Sequence, residues 1–371
     1  MLQRFYLLTT ALLLVVFSWA QTASLNTNSI NATAKPEDII LKDSLPVLTF
    51  SGSVDVYYKY DFAKTRSNTY TSFTNSQNTF SLGMATLKVV HNGKKVSTLI
   101  DLGFGERASD FSYNDNGILS AIKQMYVSYS PATWIKFTAG TWATHIGYEV
   151  LDPQLNRNYS MSYMFTNGPF SHTGIKMEAS KGNHGLMIGI SNATDFRIVP
   201  DNQINKIFLI AQYSYAPNDK MKVYLNYAGG QNPDTSKTRQ FDIVCTSKFS
   251  EKFNIAYNGT YNSTKLWDGF KNMASKNWWG SAIYLNYDPQ NWLGVTLREE
   301  YFSDKDHLKL PTSVTRASIV ASTLSANFKV EGFTFISEFR VDKSSEQIFL
   351  SSSGAATKST ANILFAAIYS F

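Results

Sequence analysis

Ala361-Asn362-Ile363-Leu364-Phe365-Ala366-Ala367-Ile368-Tyr369-Ser370-Phe371 closes the chain, and its alternate residues Ile363, Phe365, Ala367, Tyr369 and Phe371 make one continuous apolar face. Alternation of this kind is the period-two signature of a strand with one greasy side. Ending on an aromatic, it suits a sheet that closes on itself inside a bilayer, where an open edge would leave backbone N–H and C=O groups unpaired in hydrocarbon. The stretch predicts an all-β fold, a closed antiparallel transmembrane β-barrel.

The other end reads as an export signal. Arg4 precedes the apolar run Leu7 to Trp19, and Ser18 and Ala20 supply small residues before Gln21, so residues 1–20 are expected to be a signal peptide. No other run approaches the roughly 18 to 20 apolar residues of a spanning helix. Residues 21–45 are rich in Thr, Asn and Ser; Pro36 ahead of Glu37-Asp38 admits a short helix in what is expected to be a periplasmic lead-in, with the barrel over 46–371. Cys245 is the sole cysteine, which excludes an internal disulfide and a Cys-rich metal site. The chain is 14% aromatic but only 17% charged, a mixture suited to a barrel with a greasy outside and a wet inside. Its formal charge of +6 is spread along the sequence without a basic block, so nucleic acid is not an expected partner.

From about Thr49 onward, apolar and polar residues alternate between turn-forming clusters, giving sixteen expected strands. They are Phe50 to Tyr60, Phe80 to His91, Lys95 to Gly105, Ile118 to Ser130, Thr133 to Thr141, Phe170 to Ser180, Gly185 to Ser191 and Ile204 to Ala216. Then come Lys220 to Ala228, Arg239 to Phe249, Lys252 to Asn262, Asn277 to Asp288, Trp292 to Ser303, Arg316 to Val330, Phe333 to Asp342 and Ser359 to Phe371. Connections alternate between tight turns such as Asn92-Gly93, Ser250-Glu251 and Glu331-Gly332 and long polar segments, as in barrels with short periplasmic turns and long outer loops. In Phe253, Ile255 and Tyr257 against Asn254, Asn258 and Thr260, the first set is expected to meet lipid and the second the lumen. Tyr57, Tyr58, Tyr60, Trp278, Trp279, Tyr287, Trp292 and Tyr301 lie near strand ends, where interfacial girdles would place them.

The outlying connection is Trp142 to Pro169, the third and longest loop. Trp142, Ile146, Tyr148, Leu151, Tyr159, Met161, Tyr163, Met164 and Phe165 call for burial, and the lumen of a wide barrel offers it. An inward fold would bring His145, Glu149, Asp152 and Arg157 to a pore constriction, facing a lumen wall that includes Lys59, Lys88, Lys136, Lys176, Lys222, Arg298, Glu338 and Arg340. Opposed charges across a narrow passage filter solutes by charge and dipole. The alternative is a lid over the rim, with Arg157 tied to Asp152 or Glu149. The inward charges lean toward anions, although cross-strand pairing accounts for them equally well.

Enzyme chemistry finds no support. There is no Gly-x-Ser-x-Gly elbow, Cys245 falls on the lipid-facing parity, and the five histidines show no metal-ligand spacing. No catalytic residue, metal or cofactor is expected.

Gly140-Thr141-Trp142-Ala143-Thr144-His145-Ile146-Gly147-Tyr148-Glu149, with Asn156-Arg157-Asn158-Tyr159-Ser160 and Gly168-Pro169-Phe170-Ser171-His172-Thr173-Gly174, resembles the OmpL-like β-barrel porins, the porin-2 family. The resemblance implies an outer-membrane location and a pore for small solutes, and supplies no catalytic residues. The expected function is passive diffusion of small hydrophilic solutes or ions. Expected partners are outer-membrane lipid, the solutes, the barrel assembly machinery through the strand ending at Phe371, and further copies of the chain in a homo-oligomer. The competing readings are a barrel that adheres or scaffolds without conducting, and a secreted soluble β protein whose apolar faces form a two-sheet core.

Overall fold

Every strand of the main sheet is hydrogen-bonded on both sides, and the sheet closes without an edge. The computed structural model describes residues 47–200, 206–310 and 316–371; the expected signal peptide and lead-in lie outside them. The first eight strands are β1 Val47–Asp61, β2 Thr79–Asn92, β3 Val96–Phe104, β4 Ile122–Ala132, β5 Ile135–Ala143, β6 Ser171–Lys181, β7 His184–Ser191 and β8 Phe208–Asn218. There follow β9 Met221–Gln231, β10 Lys237–Lys248, β11 Phe253–Trp267, β12 Asn272–Gln290, β13 Leu293–Asp304, β14 Ala317–Val330 and β15 Phe333–Ser344. A small hairpin, β16 Phe349–Leu350 with β17 Ala356–Thr357, precedes the closing strand β18 Ser359–Ser370. The sixteen expected strands are thus the sixteen of the barrel, each antiparallel to its neighbours.

Closure is made by β18, which pairs with β15 on one side and β1 on the other. The Phe371 N–H donates to Gly52 O at 3.0 Å, and the Gly52 N–H donates to Phe371 O at 3.1 Å. A Cβ on Gly52 would lie 2.6 Å from Thr86 O and 2.8 Å from the Phe371 ring, so glycine lets β1 and the last residue approach.

Side-chain facing follows the alternation. Phe333, Phe335 and Phe339 are exposed on the outer surface while Glu338, Arg340 and Asp342 are buried inside. Tyr257 lies outside, with Asn258 and Thr260 inside. Two girdle assignments are corrected: Trp278 and Tyr57 point inward and are 0% and 1% exposed. Adjacent residues of a strand cannot share a face, so Trp279 outside forces Trp278 inside, and Tyr58 does the same to Tyr57.

The apolar core sits within the barrel. Leu364, Ala366 and Ile368, the inward face of β18, form a cluster with Tyr57, Ile336 and Tyr159 of the third loop. Trp278, Phe302, Ile319 and Phe349 gather around Tyr163 and Met164 of the same loop. Each such side chain removed from water contributes about 1.5–3 kcal/mol.

Gly52→Val should strain the closing pair by roughly 1–3 kcal/mol. The expected outcome is a lower temperature for the heat-induced gel-mobility shift of the folded barrel; an unchanged transition would mean that the β1–β18 approach carries little stability.

Candidate functional site: the lumen and its third loop

The third loop, residues 144–170, leaves β5 and crosses the lumen. In its first limb His145 Nε2 donates to Tyr227 O at 3.1 Å, the Gly147 N–H donates to Asp242 Oδ1 at 3.1 Å, and the Tyr148 ring packs 4.4 Å from Tyr284. Trp142 and Ile146 bury against Met187, Ile210 and Ala228 of the wall. The loop is therefore anchored on β7 to β12 before it turns.

Its second limb has no ladder of its own, and irregular backbone in a dry interior must find partners elsewhere. The wall supplies them from charged side chains. Glu338 accepts from the Tyr159 N–H at 2.9 Å and the Ser160 N–H at 3.2 Å. Glu300 accepts from the N–H groups of Tyr163 and Met164, both at 3.0 Å. Arg298 donates to Ser160 O and Arg340 to Met161 O, each at 2.7 Å. Arg107, on the short helix α1 Glu106–Phe111, donates to Leu151 O at 3.2 Å and Tyr159 O at 3.1 Å. The helix α2 Tyr163–Asn167 is capped by Ser162, whose Oγ accepts from the Phe165 N–H at 3.1 Å.

Side chains of the loop continue the pattern. Tyr159 OH donates to Asp55 and Tyr163 OH to Asp342. Tyr159, Met161 and Tyr163 are 0% exposed, which places this limb against the wall and not over the rim. Where the loop rejoins β6, Asp195 Oδ1 accepts from the N–H groups of Phe170 and Ser171 at 2.7 Å. Burial pushes the Asp195 carboxyl up to about 6 against those favourable contacts.

The expected loop charges are all in place but do not face an open gap. Glu149 meets Arg298 at 2.5 Å, Asp152 pairs with Lys123, and Arg157 bonds Asp288 through both guanidinium nitrogens at 2.9 and 2.6 Å. Arg298, Glu338 and Arg340 hold the loop at contact distance, and Lys59 donates to Thr69 Oγ1 at 2.7 Å and Thr74 O at 2.9 Å in the first loop. These opposed charges meet in contact pairs, because a buried charge left unpaired costs more than the ordering of the loop that pairs it. Lys123, Asp288 and Arg107 are the partners that alternation did not single out. A signal for the contact was nonetheless present, because Leu364, Ala366 and Ile368 make the inner face of β18 as apolar as the outer.

The other arc of the wall is different. Lys136 and Lys176 flank Glu178 at 3.2 and 3.4 Å, and their side chains keep 21%, 17% and 19% exposure respectively. Lys88 lies 3.6 Å from Asp101 and is 31% exposed. Lys222 is half-buried on the same inner surface. Lys59, Arg298, Glu338 and Arg340 are thus taken up by loops, whereas Lys88, Lys136, Lys176 and Lys222 line the wetter part.

The family described as "Putative beta-barrel porin-2, OmpL-like" matches residues 47–371, the whole barrel. The chain belongs to this family. Solved structures with the same fold include the trimer form of OmpT from Vibrio cholerae, at 9% identity and TM-score 0.61 over 88% of this chain and 100% of that one. An anion-selective porin from Comamonas acidovorans gives 11% identity and TM-score 0.60, with the same two coverages. The DcaP channel of Acinetobacter baumannii gives 12% identity and TM-score 0.59, covering 89% of this chain and 99% of that one. A search of curated proteins finds no sequence match. The porin is an outer-membrane channel for passive diffusion.

Glu338→Ala in the porin removes the acceptor of two loop N–H groups, at about 1–3 kcal/mol for each one left buried and unpaired. The expected result is faster proteolysis within residues 153–165 with the barrel itself still resistant. Cleavage at the wild-type rate would show that Glu338 does not hold the loop.

Proposed function

We propose that the porin passes small hydrophilic solutes with a preference for anions, along the basic arc of the lumen that the third loop leaves wet. The observation that carries this reading is the Lys136–Glu178–Lys176 arrangement, in which one carboxylate is shared by two ammonium groups and a positive charge is left over. Lys88 and Lys222 extend the same arc. In a passage with low-dielectric walls such an excess raises the local concentration of anions.

The third loop sets the width of this passage. Glu149, Asp152, Arg157 and His145 act as its anchors, so they determine pore size through the position of the loop and only secondarily through their own charge. Around this core, residues 1–20 direct export, the strand ending at Phe371 presents the chain to the barrel assembly machinery, and the finished barrel forms a homo-oligomer.

Reversal potentials in a salt gradient across a planar bilayer test the reading. Wild type should favour chloride over potassium, and the double change Lys136→Glu with Lys176→Glu should move the reversal potential toward cation preference. Removing residues 153–160 should raise single-channel conductance. A cation-preferring wild type would overturn the anion reading, and unchanged conductance after the deletion would overturn the role of the loop.

A further inference from the structure

On the outside of the barrel, the register of four neighbouring strands places Tyr227, Phe241, Tyr261 and Trp279 in one row. Phe241, Tyr261 and Trp279 are 54%, 44% and 43% exposed. A row of outward aromatics at the loop end marks the level where hydrocarbon gives way to headgroups. The next outward position along each strand, about 7 Å farther, forms the row Gly229, Arg239, Ser263 and Asn277. Beyond it lies the row Gln231, Lys237, Lys265 and Ser275. Lys237, Arg239 and Lys265 are exposed on the lipid-facing parity of their strands.

Lys237 and Lys265 stand directly opposite each other across the β10–β11 pair. Like charges in that position repel, so the arrangement is destabilising unless an anion lies between them. Carboxylates nearby are engaged by their own loops. Asp234 accepts from the Ser236 N–H at 3.0 Å, and Asp268 from the N–H groups of Phe270 and Lys271 at 2.9 Å. Asp306 accepts from the Asn277 N–H at 2.8 Å. Among the described residues, Lys237, Arg239 and Lys265 have no ion-pair partner. Ser263 and Ser275 are hydrogen-bonded at 2.7 Å beside them, and Asn277 accepts from Tyr261 OH at 2.7 Å, which leaves its amide N–H groups to donate.

We propose that this outward patch of Lys237, Arg239 and Lys265 binds the phosphate groups of a membrane-lipid headgroup, with the lipid's chains running down past Tyr261 and Trp279. Charge complementarity points to phosphate, since the guanidinium offers a fork for two phosphate oxygens and the two ammonium groups close around a second pair. Position points to a lipid and not to free phosphate. The patch lies on the outer wall one to two steps beyond the aromatic row, at the level where lipid headgroups meet a barrel, with its side chains exposed.

The test uses the full barrel in detergent micelles, with lipid binding followed by native mass spectrometry. The probes are diphosphoryl lipid A, the same lipid with both phosphates removed, and inorganic pyrophosphate. Wild type should retain diphosphoryl lipid A in preference to the dephosphorylated lipid, and pyrophosphate should not displace it. The triple variant Lys237→Glu, Arg239→Glu, Lys265→Glu should lose well over a hundredfold in affinity, since neutralising each basic side chain costs about fivefold and the reversal adds to that. The charge-neutral triple to Gln should lose an intermediate amount, and serves if the Glu variant fails to fold. Equal binding by wild type and the Gln variant overturns the proposal, as does equal retention of the dephosphorylated lipid. Displacement by pyrophosphate alone would make this a free-anion site and overturn the lipid assignment. Conductance is read alongside: these residues lie outside the lumen, so it should not change, and a failure here is separable from a failure of the anion-channel reading.

Discussion

A backbone N–H or C=O removed from water must be paired, and this barrel meets that requirement in two dry places at once. Toward lipid the solution is closure, completed where Phe371 and Gly52 exchange hydrogen bonds. Toward the interior the third loop has no ladder to join, and its N–H and C=O groups are taken by Glu338, Glu300, Arg298, Arg340 and Arg107. The same alternation that gives the wall a greasy outside thus gives it a charged inside able to hold an irregular chain.

That use of charge divides the lumen. On the arc from β12 to β1, inward acids and bases are spent on the loops and the space is filled by Tyr159, Met161, Tyr163 and their apolar neighbours. On the arc around β5 and β6, Lys136, Lys176 and Glu178 keep contact with water. Under the proposed function, a loop docked to one side sets where solute travels as well as how wide the passage is.

Much of this was legible in the residues. Lipid enforces period two on each strand, so the number of strands, their order and the facing of segments such as Phe333 to Asp342 follow from alternation. The third loop stood out because tyrosines, methionines and tryptophan in so long a connection need a dry place. What could not be read was pairing. Glu149 meets Arg298 and Tyr159 meets Asp55 across more than a hundred residues of chain, contacts set by how the barrel curls and not by spacing. Asp288 escaped for the same reason, and Lys123 because a register shift in the β3–β4 pair turns it inward against the alternation of its strand. Trp278 and Tyr57 misled because an aromatic near a strand end suits either face, and only the parity of its neighbour decides.

Hydrogen–deuterium exchange of the backbone amides of Tyr159, Ser160, Tyr163 and Met164, in the lipid-embedded barrel, tests the account most directly. If wall carboxylates hold this segment inside the lumen, those amides exchange as slowly as the strand amides beside them. Exchange at the rate of an exposed loop would mean that the segment is not docked, and the division of the lumen into a filled and a conducting arc would fall.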